Sequence, residues 1–326
     1  MPLINRSTYR PKKIYQQEAH LSTIIPARLK KHPIPNYTRK KLELDDGDFL
    51  NLDWRKKEKS NKIVILCHGL EGDSKRTYLN SCSDYFYERD FSVLAWNYRS
   101  CGGEMNRLKR LYHHGAYDDL ERVVNHLISL GYTEIALVGF SMGGALLMNY
   151  LGNVSVPKEV KVGVGISVPI SLKSSADRLK AFPNVVYFQN FKRTLLPKII
   201  EKAKQFPGAI NLDLLKKVRS FDQIDDYVTA PLHNYPNKEA YYTEASPKHC
   251  LHKIRTPCLV VNAKNDPFLG KECYDVSLFE NHPFVYFEQP EFGGHCGFSL
   301  SGQRHSWADK RAYNFVMKYI QKTENS

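Results

Sequence analysis

A serine set between two glycines, an aspartate just past an apolar strand and a histidine in a glycine-rich loop are the residues of this chain best suited to acyl chemistry. The serine is Ser141 in GFSMGG (139–144), a G-x-S-x-G pattern. The bare pattern arises by chance in roughly one chain of this length in ten, so its context decides. Here it follows EIALV and precedes ALLMNYL, which predicts a strand, a sharp turn and a helix. The turn strains the backbone at the serine, and side chains at Gly139 or Gly143 would collide with it. It also sets the hydroxyl at a helix N-terminus, where backbone N–H groups favour developing negative charge.

A serine hydroxyl needs a base, and the base needs an orienting acid. Asp266 follows the apolar run PCLVVNA in NAKNDPF, where Pro267 helps to stop the strand. His295 comes 29 residues later in FGGHCGF, with glycines on both sides. Glu272, Asp275 and Asp177 are neighbouring alternatives for the acid. His252 and His282 flank strands, His305 begins the last helix, and His113 and His114 precede the serine. Cys296, beside the base, reads as a small wall residue, with an oxidation-sensitive neighbour of the imidazole as the alternative. The backbone N–H groups of Leu70, in the turn CHGLEG (67–72), and of Met142 are the expected oxyanion donors.

The elements that must hold these residues alternate along the chain. KIVILC (62–67), FSVLAWNY (91–98), EIALVGF (134–140), VKVGVGISV (160–168), PCLVVNA (257–263) and PFVYFEQ (283–289) are apolar runs too short for helices. Strands buried on both faces read this way. In AYDDLERVVNHLISLG (116–131), Leu120, Val123, Val124, Leu127 and Ile128 follow helical spacing, and Gly131 supplies the stop. Residues 307–321 repeat that pattern. TRKKLELDDGDFLNLDWR (38–55) reads as a hairpin. The alternation predicts an α/β architecture with a mostly parallel sheet. Residues 171–250 lack a buried strand and carry helical stretches and prolines, which predicts a lid or cap inserted into a single domain spanning 1–326.

Composition narrows the function classes. The chain has 326 residues, 42% of them hydrophobic and 25% charged, an ordinary globular balance. No apolar run approaches the roughly 18 residues of a membrane span, and the first residues lack the apolar core of a secretory signal. Seven cysteines with no CxxC pair then read as reduced thiols in a cytoplasmic protein. Without closely spaced Cys/His ligand pairs, a Walker A pattern or a dinucleotide fingerprint, neither a metal nor a cofactor is expected. The net charge of +13 is uneven, with ten Lys/Arg and one acid in residues 1–41. Residues 171–250 add +5, and the rest of the chain is close to neutral. No nucleic-acid-binding module accompanies the charge. The expectation is a basic N-terminal extension (1–37) packed on the core, with weak attraction to anionic membrane that is lost by about 0.3 M salt.

Longer segments carry a family resemblance. HGLEGDS (68–74), RSCGGEMNRLKRLYHHG (99–115), GFSMGG, YVTAPLHNY (227–235), NAKNDPF (262–268) and GGHCGF (293–298) are similar to those of the YheT-like α/β-hydrolases. That group includes plant embryogenesis-associated and animal abhydrolase-domain lipid esterases. YRP (9–11), HLSTIIPAR (20–28) and DGDFLNLDW (46–54) extend the likeness toward the start. His114 stands where the family more often has a small residue, and Ser100 and Gly102 depart from its Gly-Cys-Ser turn. The resemblance implies the α/β-hydrolase fold, with helices on both faces of the sheet. It also implies Ser141, Asp266 and His295 as a charge-relay set, and hydrolysis of short-chain or acylglycerol-like esters through an acyl-serine. Transfer of the acyl group to an alcohol is the related alternative. A non-catalytic anionic-lipid-binding protein on the same scaffold is the alternative of a different class.

Overall fold

All six apolar runs are strands of one nine-stranded sheet in the computed structural model, which describes residues 3–320. The ends of the expected 1–326 domain, residues 1–2 and 321–326, lie outside the described residues. The strands are β1 (Leu3–Ile4), β2 (Thr38–Glu43), β3 (Phe49–Arg55), β4 (Lys62–Cys67), β5 (Ser92–Asn97), β6 (Glu134–Phe140), β7 (Val160–Ile166), β8 (Cys258–Val261) and β9 (Val285–Glu288). They lie in the order β1-β9-β8-β7-β6-β4-β5-β3-β2. Pairing is parallel from β1 through to β5, and β3 and β2 add an antiparallel hairpin at the far edge. The mostly parallel α/β sheet expected from the alternation is therefore present.

Alternate residues of each strand feed two cores. Ile63, Ile65 and Cys67 of β4 join the apolar cluster of one face, and Val64 and Leu66 join the other. Helices α3 (Tyr117–Ser129) and α4 (Met142–Asn153) cover the first face; α2 (Thr77–Tyr87) and α11 (Trp307–Val316) cover the second. The last helix ends at Val316, earlier than its sequence pattern suggested. Chain order reverses at β4, which lies between β5 and β6. The carboxyl ends of strands beside such a reversal form the crevice where ligands bind in open α/β sheets.

Residues 171–250 are helical: α5 (Leu172–Lys180), α6 (Val185–Gln205), α7 (Leu212–Lys216), α8 (Phe221–Ile224), a π-helical turn Asp225–Thr229, α9 (Ala230–Leu232) and α10 (Lys238–Ala245). Lys202 of α6, fully buried, donates to the carbonyls of Asn106 and Leu108 and ties this insertion to the segment after β5. At the other end of the chain, Tyr9 and Gln16 are buried and both donate to the Ser299 carbonyl, at 3.0 and 2.7 Å. The Trp307 indole donates to Thr8. These bonds hold the residues before α1 (Ala19–Arg28) against the loop that precedes α11. No helix of the described residues is long and apolar enough to cross a membrane.

Candidate active site

Ser141 occupies the one residue between β6 and α4, with φ 54° and ψ −121°. That left-handed backbone is strained for a residue with a Cβ, and the neighbouring glycines explain how it is tolerated. A Cβ on Gly139 would lie 2.3 Å from the Gly143 carbonyl oxygen, and one on Gly143 only 2.4 Å from that of Cys67. The ends of β4 and β6 and the start of α4 thus meet backbone to backbone.

His295 Nε2 lies 2.8 Å from Ser141 Oγ, and its Nδ1 lies 2.9 and 3.1 Å from the two Asp266 oxygens. Asp266 is buried and also accepts from the Phe268 amide at 2.8 Å. Phe268 stacks on the imidazole, with ring centroids 4.0 Å apart. Burial opposes the charged imidazolium, but the Asp266 carboxylate, helped by the Cys296 sulfur, outweighs it, so proton affinity at His295 rises above the ordinary histidine value. A Ser–His–Asp chain of this geometry can take a proton from the serine hydroxyl and return it to a leaving group.

Three successive amides of the histidine loop are pinned from different parts of the chain. Gly294 donates to Asn265 Oδ1, His295 to Thr23 Oγ1 and Cys296 to Ser167 Oγ, all within 3.0 Å. The sequence reading missed all three partners. Thr23 and Asn265 fall in segments noted for their family likeness, yet no spacing rule links a threonine to an amide 272 residues away. The Cys296 thiol sits against the imidazole. The alternative acids are engaged elsewhere: Glu272 with Ser171 and Lys248, Asp177 with Lys173, and Asp275 with Ser277.

The expected oxyanion donors border the serine. Among the described residues, the Leu70 and Met142 amides have no hydrogen-bond acceptor. Met142 opens α4, where backbone N–H groups are unpaired by geometry. Leu70 is fixed from both sides. Gly69 N–H donates to Tyr78 Oη, and Glu71 N–H donates to Tyr112 Oη. The buried Glu71 carboxylate accepts from Tyr112 and pairs with Lys198 of α6 at 2.8 Å. His68, fully buried and pushed down to about 3 by desolvation, is a neutral prop whose Nδ1 bonds to the Gly69 carbonyl.

Ser141 and His295 open into a partly open cavity between the core and residues 171–250. Met142 and Phe268 line it from the core, and Leu172, Phe191, Leu195 and Ile199 from the helical insertion. His113 and His114 line it too, both held neutral by burial. Its one acidic lining residue is Asp225 at the start of the π-helical turn, which accepts from Tyr242 Oη and Thr229 Oγ1 and forms no ion pair among the described residues. Burial pushes its carboxyl up to about 6, although the two hydroxyls oppose the rise. The folded protein therefore holds this proton more tightly than the unfolded chain, and stability falls as pH rises from about 4 to 6. Asp225→Asn is expected to stabilise the protein at pH 8 by on the order of 1–3 kcal/mol and to change little at pH 4. Denaturant unfolding at the two pH values checks this, and an equal shift at both would refute it.

No group of three or more metal-ligating side chains stands together among the described residues, and all seven cysteines are free thiols. A family model described as alpha/beta hydrolase fold matches residues 62–300. The chain is 29% identical over 312 residues to "Putative esterase YheT" of Escherichia coli (strain K12), covering 93% of this chain and 91% of that one. Phospholipase ABHD3 of Bos taurus is 27% identical, with 96% and 79% covered. Monoacylglycerol lipase of Saccharomyces cerevisiae (strain ATCC 204508 / S288c) is 27% identical, with 75% and 56% covered. Among solved structures, the Pyrococcus furiosus esterase Pf2001 superposes with a TM-score of 0.59 at 17% identity, covering 88% of this chain and 94% of that one. The likeness to the YheT-like group inferred from short segments thus holds over nearly the whole chain.

Proposed function

Because this chain belongs to the alpha/beta hydrolase fold family, we propose that it is a serine hydrolase that cleaves carboxylic esters through an acyl-serine. Three relatives whose names are esterase, phospholipase and monoacylglycerol lipase support ester cleavage. The observation that carries the residue assignment is the unbroken Asp266–His295–Ser141 hydrogen-bond chain at the floor of a largely apolar cavity.

In this reading Asp266 accepts the Nδ1 hydrogen of His295, which leaves Nε2 free to take the Ser141 proton. Oγ attacks the ester carbonyl, and the oxyanion forms beside the Leu70 and Met142 amides. His295 then protonates the leaving alkoxide. Water, activated by the same imidazole, releases the acid and restores the serine. The cavity's aliphatic and aromatic walls suit an acyl chain, and the helical insertion acts as a cap whose packing sets the chain length accepted.

The test is covalent. A fluorophosphonate probe is expected to label the wild-type protein once, on the tryptic peptide that contains Ser141 by mass spectrometry. An unlabelled protein, or a label on another serine, would reject the assignment.

A further inference from the structure

Seven Lys and Arg side chains lie between Arg6 and Lys31, against the single acid Glu18. Along the described chain, the first residue to enter an ion pair is His32, so none of the seven forms a close ion pair, although Lys30 feels the carboxylate of Asp309. The same stretch exposes large apolar side chains: Ile14 is 86% and Leu29 74% open to solvent, with Leu21 and Ile24 also exposed. Cations interleaved with exposed aliphatic residues are the composition of a segment that lies in a bilayer interface.

The face continues onto the helical insertion. Leu21, Ile24 and Arg28 follow one side of α1, and the Arg28 guanidinium donates to Asn190 of α6. Val186, one turn earlier on α6, is exposed, and Phe182, in the turn before α6, is 88% exposed. His20 of α1 stacks on Tyr187 of α6, Tyr187 packs on Phe268, and Phe268 stacks on His295. One face thus combines unpaired positive charge and exposed hydrocarbon, and it shoulders the wall of the cavity that holds Ser141.

We propose that this face, formed by residues 12–31 and the turn into α6, docks the protein on an anionic lipid bilayer. Its cations match anionic headgroups, its exposed aliphatic and aromatic tips match the acyl boundary beneath them, and its position sets the cavity beside the membrane surface. A purely polar acidic surface would answer the charge alone and leave Phe182, Ile14 and Leu29 in water.

Vesicle flotation tests this without any turnover, so the outcome does not depend on the hydrolase reading. The full chain is expected to float with phosphatidylcholine vesicles containing about 30% phosphatidylglycerol at about 0.05 M salt. It is expected to remain unbound to pure phosphatidylcholine, and to be released at about 0.3 M salt. Lys13→Glu/Lys31→Glu and, separately, Phe182→Ser/Leu29→Ser should each cut the bound fraction about tenfold, because surface docking needs both contributions. Both pairs lie outside the cavity, and a thermal melt and circular-dichroism spectrum matching wild type report that the variants fold. Wild-type protein that stays unbound at low salt overturns the proposal. So does binding that the Phe182/Leu29 variant retains in full, or retention on a DNA duplex with no flotation.

Discussion

Ser141→Ala is expected to lower kcat for a p-nitrophenyl ester by about 10⁴- to 10⁶-fold, the range for removing a serine nucleophile that works with its base as a unit. The substitution deletes one oxygen, which bonds to His295 Nε2. The backbone bond from the Ser141 amide to the Ile166 carbonyl, 2.8 Å long, remains, and alanine has the same Cβ at φ 54°. The fold should therefore stand, with a change in unfolding free energy within about 1 kcal/mol. KM should change far less than kcat, because the cavity walls are untouched. Steady-state kinetics with a thermal melt as control decides the matter. A variant that keeps a tenth of wild-type activity places the nucleophile elsewhere.

Asp266→Asn should be nearly as damaging, at about 10⁴-fold in kcat, and for a different reason. Asparagine can keep the bond from the Phe268 amide. Its own amide nitrogen would then donate to His295 Nδ1, forcing the imidazole hydrogen onto Nε2 and leaving nothing to accept the Ser141 proton. A second signature separates this from simple misfolding. The working base is neutral His295, and the Asp266 carboxylate raises its proton affinity against the opposing effect of burial. In the wild type the acid limb of kcat/KM should thus lie above the ordinary histidine value of about 6.5. Removing the charge leaves burial opposed only by the neighbouring Cys296 sulfur, so the residual activity of the variant should show an acid limb shifted to lower pH. An unshifted limb with a tenfold or smaller loss would exclude Asp266 as the orienting acid.

What could be read from the sequence follows what was buried, and how. β4 to β9 were legible because each is covered on both faces and so became a short, continuous apolar run. Helix α2 was not, because it is buried nearly all round yet polar in part. Ser81 bonds to Asp309, Asp84 pairs with His32 and Arg55, and Asn80 donates to the Lys75 carbonyl. Partnered polar groups inside the core erase the apolar stripe on which periodicity depends. β1 has two residues and no pattern at all; its register comes from β9.

The site divides along the same line. Ser141, Asp266 and His295 each sit at the end of a recognisable strand or in a glycine-flanked loop, so local pattern and chain order singled out three residues that the fold brings into contact. The bonds that hold the histidine loop could not be found in that way. Thr23, Ser167 and Asn265 are ordinary polar residues whose meaning comes from an amide brought to them by the fold. The same holds for Lys198, one lysine among many until α6 sets it against Glu71.

The pairing of Thr23 with the His295 amide has a consequence for how the protein is made. Their 272-residue separation means that, at ribosomal rates, α1 leaves the exit tunnel about 10–50 s before its partner loop is synthesised. During that interval α1 can already meet α2, through neighbours such as His32 with Asp84, but the Thr23 hydroxyl has no histidine loop to hold. The β4–β7 sheet and its elbow serine can form meanwhile, but the imidazole is neither present nor supported. The nascent chain thus carries Ser141 without its histidine until residue 295 has been made, and seating the histidine loop on α1 joins two segments 272 residues apart.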